Sequence, residues 1–216
     1  MSREIQILQT FRKACCFILL LFLFPLPWVY AQWTFLGDPL ISNSAVTSQS
    51  LALSPQWVPH LAYTSAGEIF VEWFDGEDWT MMNRTGLPTN GANACALTFL
   101  SDGRACIALA PNLITYTYDG QSWSLMSGLV GVTNMQGLRM RIDASDKLWL
   151  AGFKAGAVDT TVVFSKTLSG NWLMHSSLEG RLRDFELDEF GEPVVLLSQA
   201  TAILHYHNGI WSPLTS

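Results

Sequence analysis

Four groups of side chains in this sequence could do chemistry. Asp184, Glu186, Asp188 and Glu189 crowd one short stretch, and Glu77 adjoins Asp78. Two carboxyls flanking a sugar bond at a set separation can cleave it. Glu77 and Asp78 fall in a turn, where solvation is the plain reading, whereas the second group falls on a strand. Arg141 and Glu186 occupy one column of a repeat that holds Ala52 and Thr98 in its other copies. Neighbouring copies therefore bring them close, either as an ion pair or as a polar lining for a ligand with Arg139 and Asp184 nearby. His205 and His207 sit two apart on a strand and so share a face, which makes half of a metal site. No third ligand has a sequence reason to stand near them, and His60 and His175 do not add metal spacing. No metal and no cofactor are expected. Neither a serine nucleophile elbow nor a glycine-rich phosphate loop can be seen. Trp57 occupies a turn column where other copies hold Gly or Asp, so it is the aromatic expected to be exposed and the best single lectin candidate.

The elements that position these residues come from a recurring motif. Residues 74–79 read Phe-Asp-Gly-Glu-Asp-Trp and 118–123 read Tyr-Asp-Gly-Gln-Ser-Trp. Shorter versions end at Trp172 and Trp211, and Trp33 opens a fifth similar stretch. The spacing, about 40 to 50 residues, is that of a β-propeller blade. Gly76, Gly120, Gly170 and Gly209 turn the chain before the tryptophans, as hairpin loops require. Trp79, Trp123, Trp172 and Trp211 are read as core. Between them four segments align without gaps, beginning at Leu51, Leu97, Met140 and Phe185. Each alternates apolar and other residues, turns, and resumes as a second apolar run. Gly103, Gly191 and Asp146 share the turn column, and all tolerate positive φ. A third run of β-branched and aromatic residues precedes each motif.

These patterns predict an all-β chain: a β-propeller of four-stranded antiparallel blades, four in number, plus an extra N-terminal outer strand over 33–37. The repeats cover about 45–84, 91–127, 136–176 and 182–216. A closed ring is expected, because open edges invite association. The other reading is an incomplete propeller that pairs with a second copy.

Residues 1–31 read as a secretory signal peptide, with Arg3, Arg12 and Lys13 before an apolar run and a small-x-small cleavage signal at Val29-Tyr30-Ala31. An uncleaved anchor is the other reading. The remaining 32–216 form one domain, secreted or periplasmic. The full chain has 18 acidic and 12 basic residues, a net charge of −6, and no Lys/Arg cluster. Nucleic acid and anionic membranes, which need concentrated positive charge, are poor partners. Cys95 and Cys106 are the cysteines left after the leader. A turn over 101–104 places Phe99 opposite Cys106 and sets Cys95 too far along its strand for a bridge. Both are expected to be free and buried.

The aromatic-Asp-Gly-x-x-Trp turns, followed by Leu-x-Leu…Ala-Tyr hairpins, resemble the repeats of secreted bacterial β-propellers in the kelch-like, tachylectin-like and Asp-box group. The resemblance implies a scaffold over nearly all of 32–216, and no reaction. An Asp-box is Ser-x-Asp-x-Gly-x-x-Trp, but Asp119 and Gly120 are adjacent here. The Gly-Gly pair of kelch blades is missing. No functional residue carries over. The expected function is non-catalytic binding of a glycan or an extracellular protein through long loops near 38–49, 83–93, 127–136 and 154–159. A sialidase-like or lyase-like enzyme is the alternative, and a structural or assembly role is a third. A closed ring implies a monomer and an open one a homo-oligomer.

Overall fold

Every blade is built on one turn, and its geometry repeats four times. In the computed structural model, Trp57, Gly103, Asp146 and Gly191 hold φ of 64, 90, 61 and 78°. Their N–H groups donate to the carbonyls of Ser54, Leu100, Asp143 and Asp188 at 2.9 to 3.0 Å. The N–H groups of those four residues in turn donate to the carbonyls of Val58, Arg104, Lys147 and Glu192. The column read as turn-forming is therefore one left-handed position in all four copies. The structure describes residues 36–37, 42, 44–89, 91–128, 132–198 and 203–214. The expected leader, Trp33 and most of the extra strand over 33–37 lie outside them.

Each turn joins the first two strands of a four-stranded antiparallel sheet whose strands lie in chain order. The first sheet holds β1 (Val46–Leu53), β2 (Pro59–Ser65), β3 (Glu68–Phe74) and β4 (Trp79–Met81). The second holds β5 (Ala94–Phe99), β6 (Ala105–Ala110), β7 (Ile114–Tyr118) and β8 (Trp123–Gly128). The third holds β9 (Met135–Ile142), β10 (Leu148–Lys154), β11 (Thr160–Lys166) and β12 (Leu173–Glu179). The fourth holds β13 (Leu182–Leu187), β14 (Pro193–Leu197), β15 (Ile203–His207) and β16 (Ile210–Pro213). There is no helix among the described residues. This is a β-propeller fold with four blades.

The motif turns before the outer strands follow the sequence with one exception. Asp75 Oδ1 accepts from the N–H groups of Glu77 and Asp78, and Asp119 Oδ1 from those of Gln121 and Ser122. These hydrogen bonds to the ionised form hold both carboxyls below the usual range. Gly76, Gly120 and Gly209 have positive φ, but Gly170 does not. A Cβ on Gly170 would lie 2.5 Å from Thr167 Oγ1, a hydroxyl that must turn aside to admit it.

Among the described residues three cores hold the four sheets together. Ala62, Ile69 and Val71 pack with Cys95, Leu97 and Ile107 between the first and second sheets. Ala94, Ala108 and Leu113 meet Met135, Leu138 and Met140 between the second and third. Trp149, Ala151 and Val163 meet Leu182, Phe185, Val195 and Leu197 between the third and fourth. Among the described residues no core joins the fourth sheet to the first. The inner strands record the same fact. β5 is buried at every position, whereas β1 alternates between half-buried and exposed, with Leu51 66% exposed. On the fourth sheet Ile210 is 68% exposed. The closure expected of the ring is therefore not seen between the described residues of the first and fourth sheets. Burying one such side chain stabilises by about 2 kcal/mol, a gain that Leu51 and Ile210 leave unrealised among the described residues.

The two cysteines are free and buried, as expected, but the expected register is off by one. Cys106 pairs with Thr98 and not with Phe99, because the turn spans five residues from Leu100 to Arg104. Cys95 faces the first sheet and Cys106 the third, so the two thiols lie on opposite faces of their sheet. Burial pushes Cys95 up to about 12 and Cys106 to about 11, which keeps both as thiols.

Candidate functional site

Strand direction decides which residues share an end of the arc. The four left-handed turns all lie where a first strand passes to a second, so they gather at one mouth. Among the described residues, 44–45, 83–89, 91–93, 132–134 and 155–159 of the expected loops precede a first strand or follow a second, which places them at the other mouth. β9 separates the two ends by eight residues, roughly 26 Å at strand rise. The topology separates these loops from the candidate side chains. The side chains belong to the inner-turn mouth.

Arg141 and Glu186 meet there. Arg141 Nε donates to Glu186 Oε2 at 2.9 Å, and Arg141 Nη2 donates to Oε1, giving a two-point contact. Arg141 Nη1 also donates to the Met140 carbonyl at 2.9 Å. Hydrogen bonding to Glu186 holds Arg141 above its ordinary pKa, and the same contact holds Glu186 below the carboxylate range. The ion pair between blades read from the repeat column is present. Arg139 instead donates to the Leu138 carbonyl at 3.0 Å, and exposed Asp184 accepts from the Phe185 N–H at 2.9 Å. Arg141 and Glu186 line a cleft of about 500 Å³ between the inner turns of the third and fourth blades, together with Asp143, Ser145 and Phe190.

Trp57 borders a second cleft, about 340 Å³, shared with Phe99, Ser101, Asp143 and Asp146. Its indole is 79% exposed. Asp146 Oδ2 accepts from Ser101 Oγ at 2.6 Å and Oδ1 from the Ser101 N–H at 2.8 Å, tying the second and third turns together. Phe190, also 79% exposed, projects from the fourth turn. Sequence reasoning missed Phe190. The signal was a phenylalanine in a turn otherwise made of polar residues and glycine.

The repeat tryptophans divide. Trp123 is buried, Trp172 packs against the core of the second and third sheets, and Trp211 against that of the third and fourth. Trp79 is half-buried, tilted against Phe74 at 5.7 Å, and donates from Nε1 to the Leu36 carbonyl at 2.8 Å.

Two arrangements resemble catalytic groups. Glu77 and Asp78 are exposed in the β3–β4 turn. Ser165 Oγ lies 2.6 Å from His175 Nε2, and His175 Nδ1 lies 2.9 Å from the Tyr206 hydroxyl. Ser165 is only 3% exposed, so this network works as a polar weld between the third and fourth sheets. His205 and His207 do share a strand face, and two carboxylates that had no sequence reason to be near stand beside them. Asp188 Oδ2 lies 2.8 Å from His205 Nε2, and Glu192 Oε2 lies 2.5 Å from His207 Nδ1.

The sequence matches no protein-family model and no curated protein. The fold is shared with solved structures at low identity. A protein of unknown function from Dyadobacter fermentans superposes with a TM-score of 0.58 at 10% identity, covering 79% of this chain and 69% of that one. The extracellular domain of a putative hybrid two-component system from B. thetaiotaomicron gives 0.53 at 14% identity, over 76% of this chain and 21% of that one. A protein from Bacteroides caccae gives 0.51 at 12% identity, over 82% and 62%. This chain therefore spans about a fifth of the B. thetaiotaomicron structure and about six tenths of the B. caccae one. These likenesses concern the propeller scaffold.

Proposed function

We propose that the protein is a secreted, non-catalytic binding module that takes a glycan at its inner-turn mouth. The observation that carries this reading is Trp57. A large aromatic is held 79% exposed at a φ of 64°, a conformation that disfavours bulky side chains. Strain of this kind persists where the surroundings impose it, and it gathers at ligand sites. An exposed indole face stacks on the apolar face of a sugar ring. Asp143, Ser145 and the Arg141–Glu186 pair in the adjoining cleft supply the few polar groups that orient a ligand. Secretion is read from residues 1–31.

The test is a glycan array probed with the purified protein and with Trp57→Ala, both checked for folding by circular dichroism. Selective binding lost in the variant supports a lectin centred on this turn. Silence from a folded protein moves the ligand class to an extracellular protein. The non-catalytic part has its own test. Turnover of chromogenic glycosides, abolished by Glu186→Gln, would make the protein an enzyme of the sialidase-like or lyase-like kind.

A second reading, assembly, is favoured by the exposed faces of the first and fourth sheets, where Leu51 and Ile210 are 66 and 68% exposed. A fourth sheet on a second copy presents the kind of face that the first sheet lacks. Light scattering of the purified protein reads this directly. A dimeric mass that falls to a monomer in Leu51→Glu and in Ile210→Glu supports closure by a second copy, and a monomeric wild type removes it.

A further inference from the structure

The fourth sheet carries a cluster of metal-ligating side chains outside the mouth. Alternation along β15 sends Leu204 and Tyr206 into the core and leaves His205 and His207 on the opposite face. Asp188, at the head of the inner turn, and Glu192, at its foot, come to that face because β13 and β14 are hairpin partners and β14 pairs with β15. Asp188 Oδ2, Glu192 Oε2 and His205 Nε2 lie within 4.8 Å of one another. His205 Nε2 is 2.8 Å from Asp188 Oδ2 and 3.7 Å from Glu192 Oε2. His207 Nδ1 approaches Glu192 Oε2 at 2.5 Å, and the two imidazole rings stand 6.0 Å apart and 26° from parallel.

We propose that Asp188, Glu192, His205 and His207 form a binding site for a divalent first-row transition metal, with Zn²⁺ as the ion of best fit. Zinc takes nitrogen and oxygen ligands at about 2.0 to 2.2 Å, so tetrahedral donors stand about 3.3 Å apart. The His205 contacts at 2.8 and 3.7 Å bracket that value, and His207, which reaches Glu192 but stands outside the group of three donors within 4.8 Å of one another, turns toward the ion to complete the shell. Two carboxylates neutralise its charge, and two imidazoles favour it over Ca²⁺ or Mg²⁺, which prefer all-oxygen shells. Outer partners are in place. Asp188 Oδ1 accepts from the N–H groups of Phe190 and Glu192 at 2.9 and 2.8 Å, which fixes the carboxylate and leaves Oδ2 to the ion. Asn208 lies 2.8 Å from His207 Nε2 through its side-chain amide. With that amide turned so that its oxygen accepts, it orients the imidazole for ligation through Nδ1. Metal binding at such a site releases protons and couples to folding. Here it joins the inner turn to the third strand of the blade that lacks a neighbour on one face.

Titration of the purified, metal-stripped protein with Co²⁺ and Zn²⁺ tests this. One equivalent of Co²⁺ should give the visible absorption of a four-coordinate site, displaced by Zn²⁺ and untouched by Ca²⁺. Zn²⁺ should raise the unfolding temperature. His205→Gln, which keeps a hydrogen bond to Asp188, and Glu192→Gln should each weaken Zn²⁺ at least tenfold while circular dichroism stays unchanged. His207→Ala should also weaken it, and full affinity in that variant overturns the fourth ligand. Absence of stoichiometric binding, or binding that survives both His205→Gln and Glu192→Gln, overturns the site.

Discussion

Arg141 and Glu186 stand 45 residues apart in sequence and close on each other through two hydrogen bonds between inner strands. The geometry matches a guanidinium fork to a carboxylate, which an ammonium cannot reproduce. Both side chains are more than a third exposed or close to it, at 34% and 58%, so solvent screens the pair. Arg141→Lys is therefore expected to cost roughly 1 kcal/mol or less, read from urea denaturation midpoints. Unchanged ligand affinity in Arg141→Ala, with a small loss of stability, would assign the pair to structure alone.

Trp57 is expected to trade stability for binding. Gly103 and Gly191 fill the same turn position in two other blades without strain. Trp57→Gly should then raise stability by about 1 kcal/mol, while removing whatever ligand the array identifies. A destabilised Trp57→Gly would mean that the indole packs usefully and is not held against its preference.

Gly86 marks where one blade clamps the next. The chain after β4 crosses the outer strand of the second sheet, where Asn83 O accepts from Trp123 Nε1 at 3.0 Å and Thr85 O from the Trp123 N–H at 2.8 Å. A Cβ on Gly86 would lie 1.8 Å from the Trp123 carbonyl oxygen, and its φ is +94°. Gly86→Ala should cost more than about 2 kcal/mol. A near-neutral result in thermal unfolding would show that this crossing yields easily.

His175 gives the arc a dependence on acidity. Burial, with the charge of Lys147 nearby, holds its pKa below 6.5. Below pH 6.5 the unfolded chain therefore binds a proton that the folded chain refuses. The contribution is complete above that pH and is lost as pH falls toward the folded value. His60, lowered by burial, acts in the same direction. Denaturation midpoints should drop as pH falls below about 6.5, with a shallower drop in His175→Gln. Equal slopes in the two proteins would remove His175 from the account.

Much of the scaffold was legible because it is local. The alternating runs, the Asp-Gly turns and the left-handed column each depend on a few adjacent residues, and all recur. The Arg141–Glu186 contact was legible too, since equivalent columns of neighbouring repeats must lie side by side. Closure was not, because it depends on whether the first and last faces meet, and no local pattern encodes that. The cysteine register slipped because loop length, five residues against four, shifts every downstream pair. The grouping of Asp188 and Glu192 with His205 and His207 was hidden in plain spacing. It becomes visible once the inner turn is folded back onto the third strand.

Because cores join the sheets in single file, the order of unfolding is set by position along the file. Among the described residues the second and third sheets each share two cores, and the first and fourth one. Terminal blades can fray without breaching the middle, as in a linear array whose couplings run between neighbours. Amide protons of β6 and β10 should then exchange with solvent at the rate of global opening, while those of β2 and β14 exchange earlier. In a closed ring every blade would be interior, and that gradient would vanish.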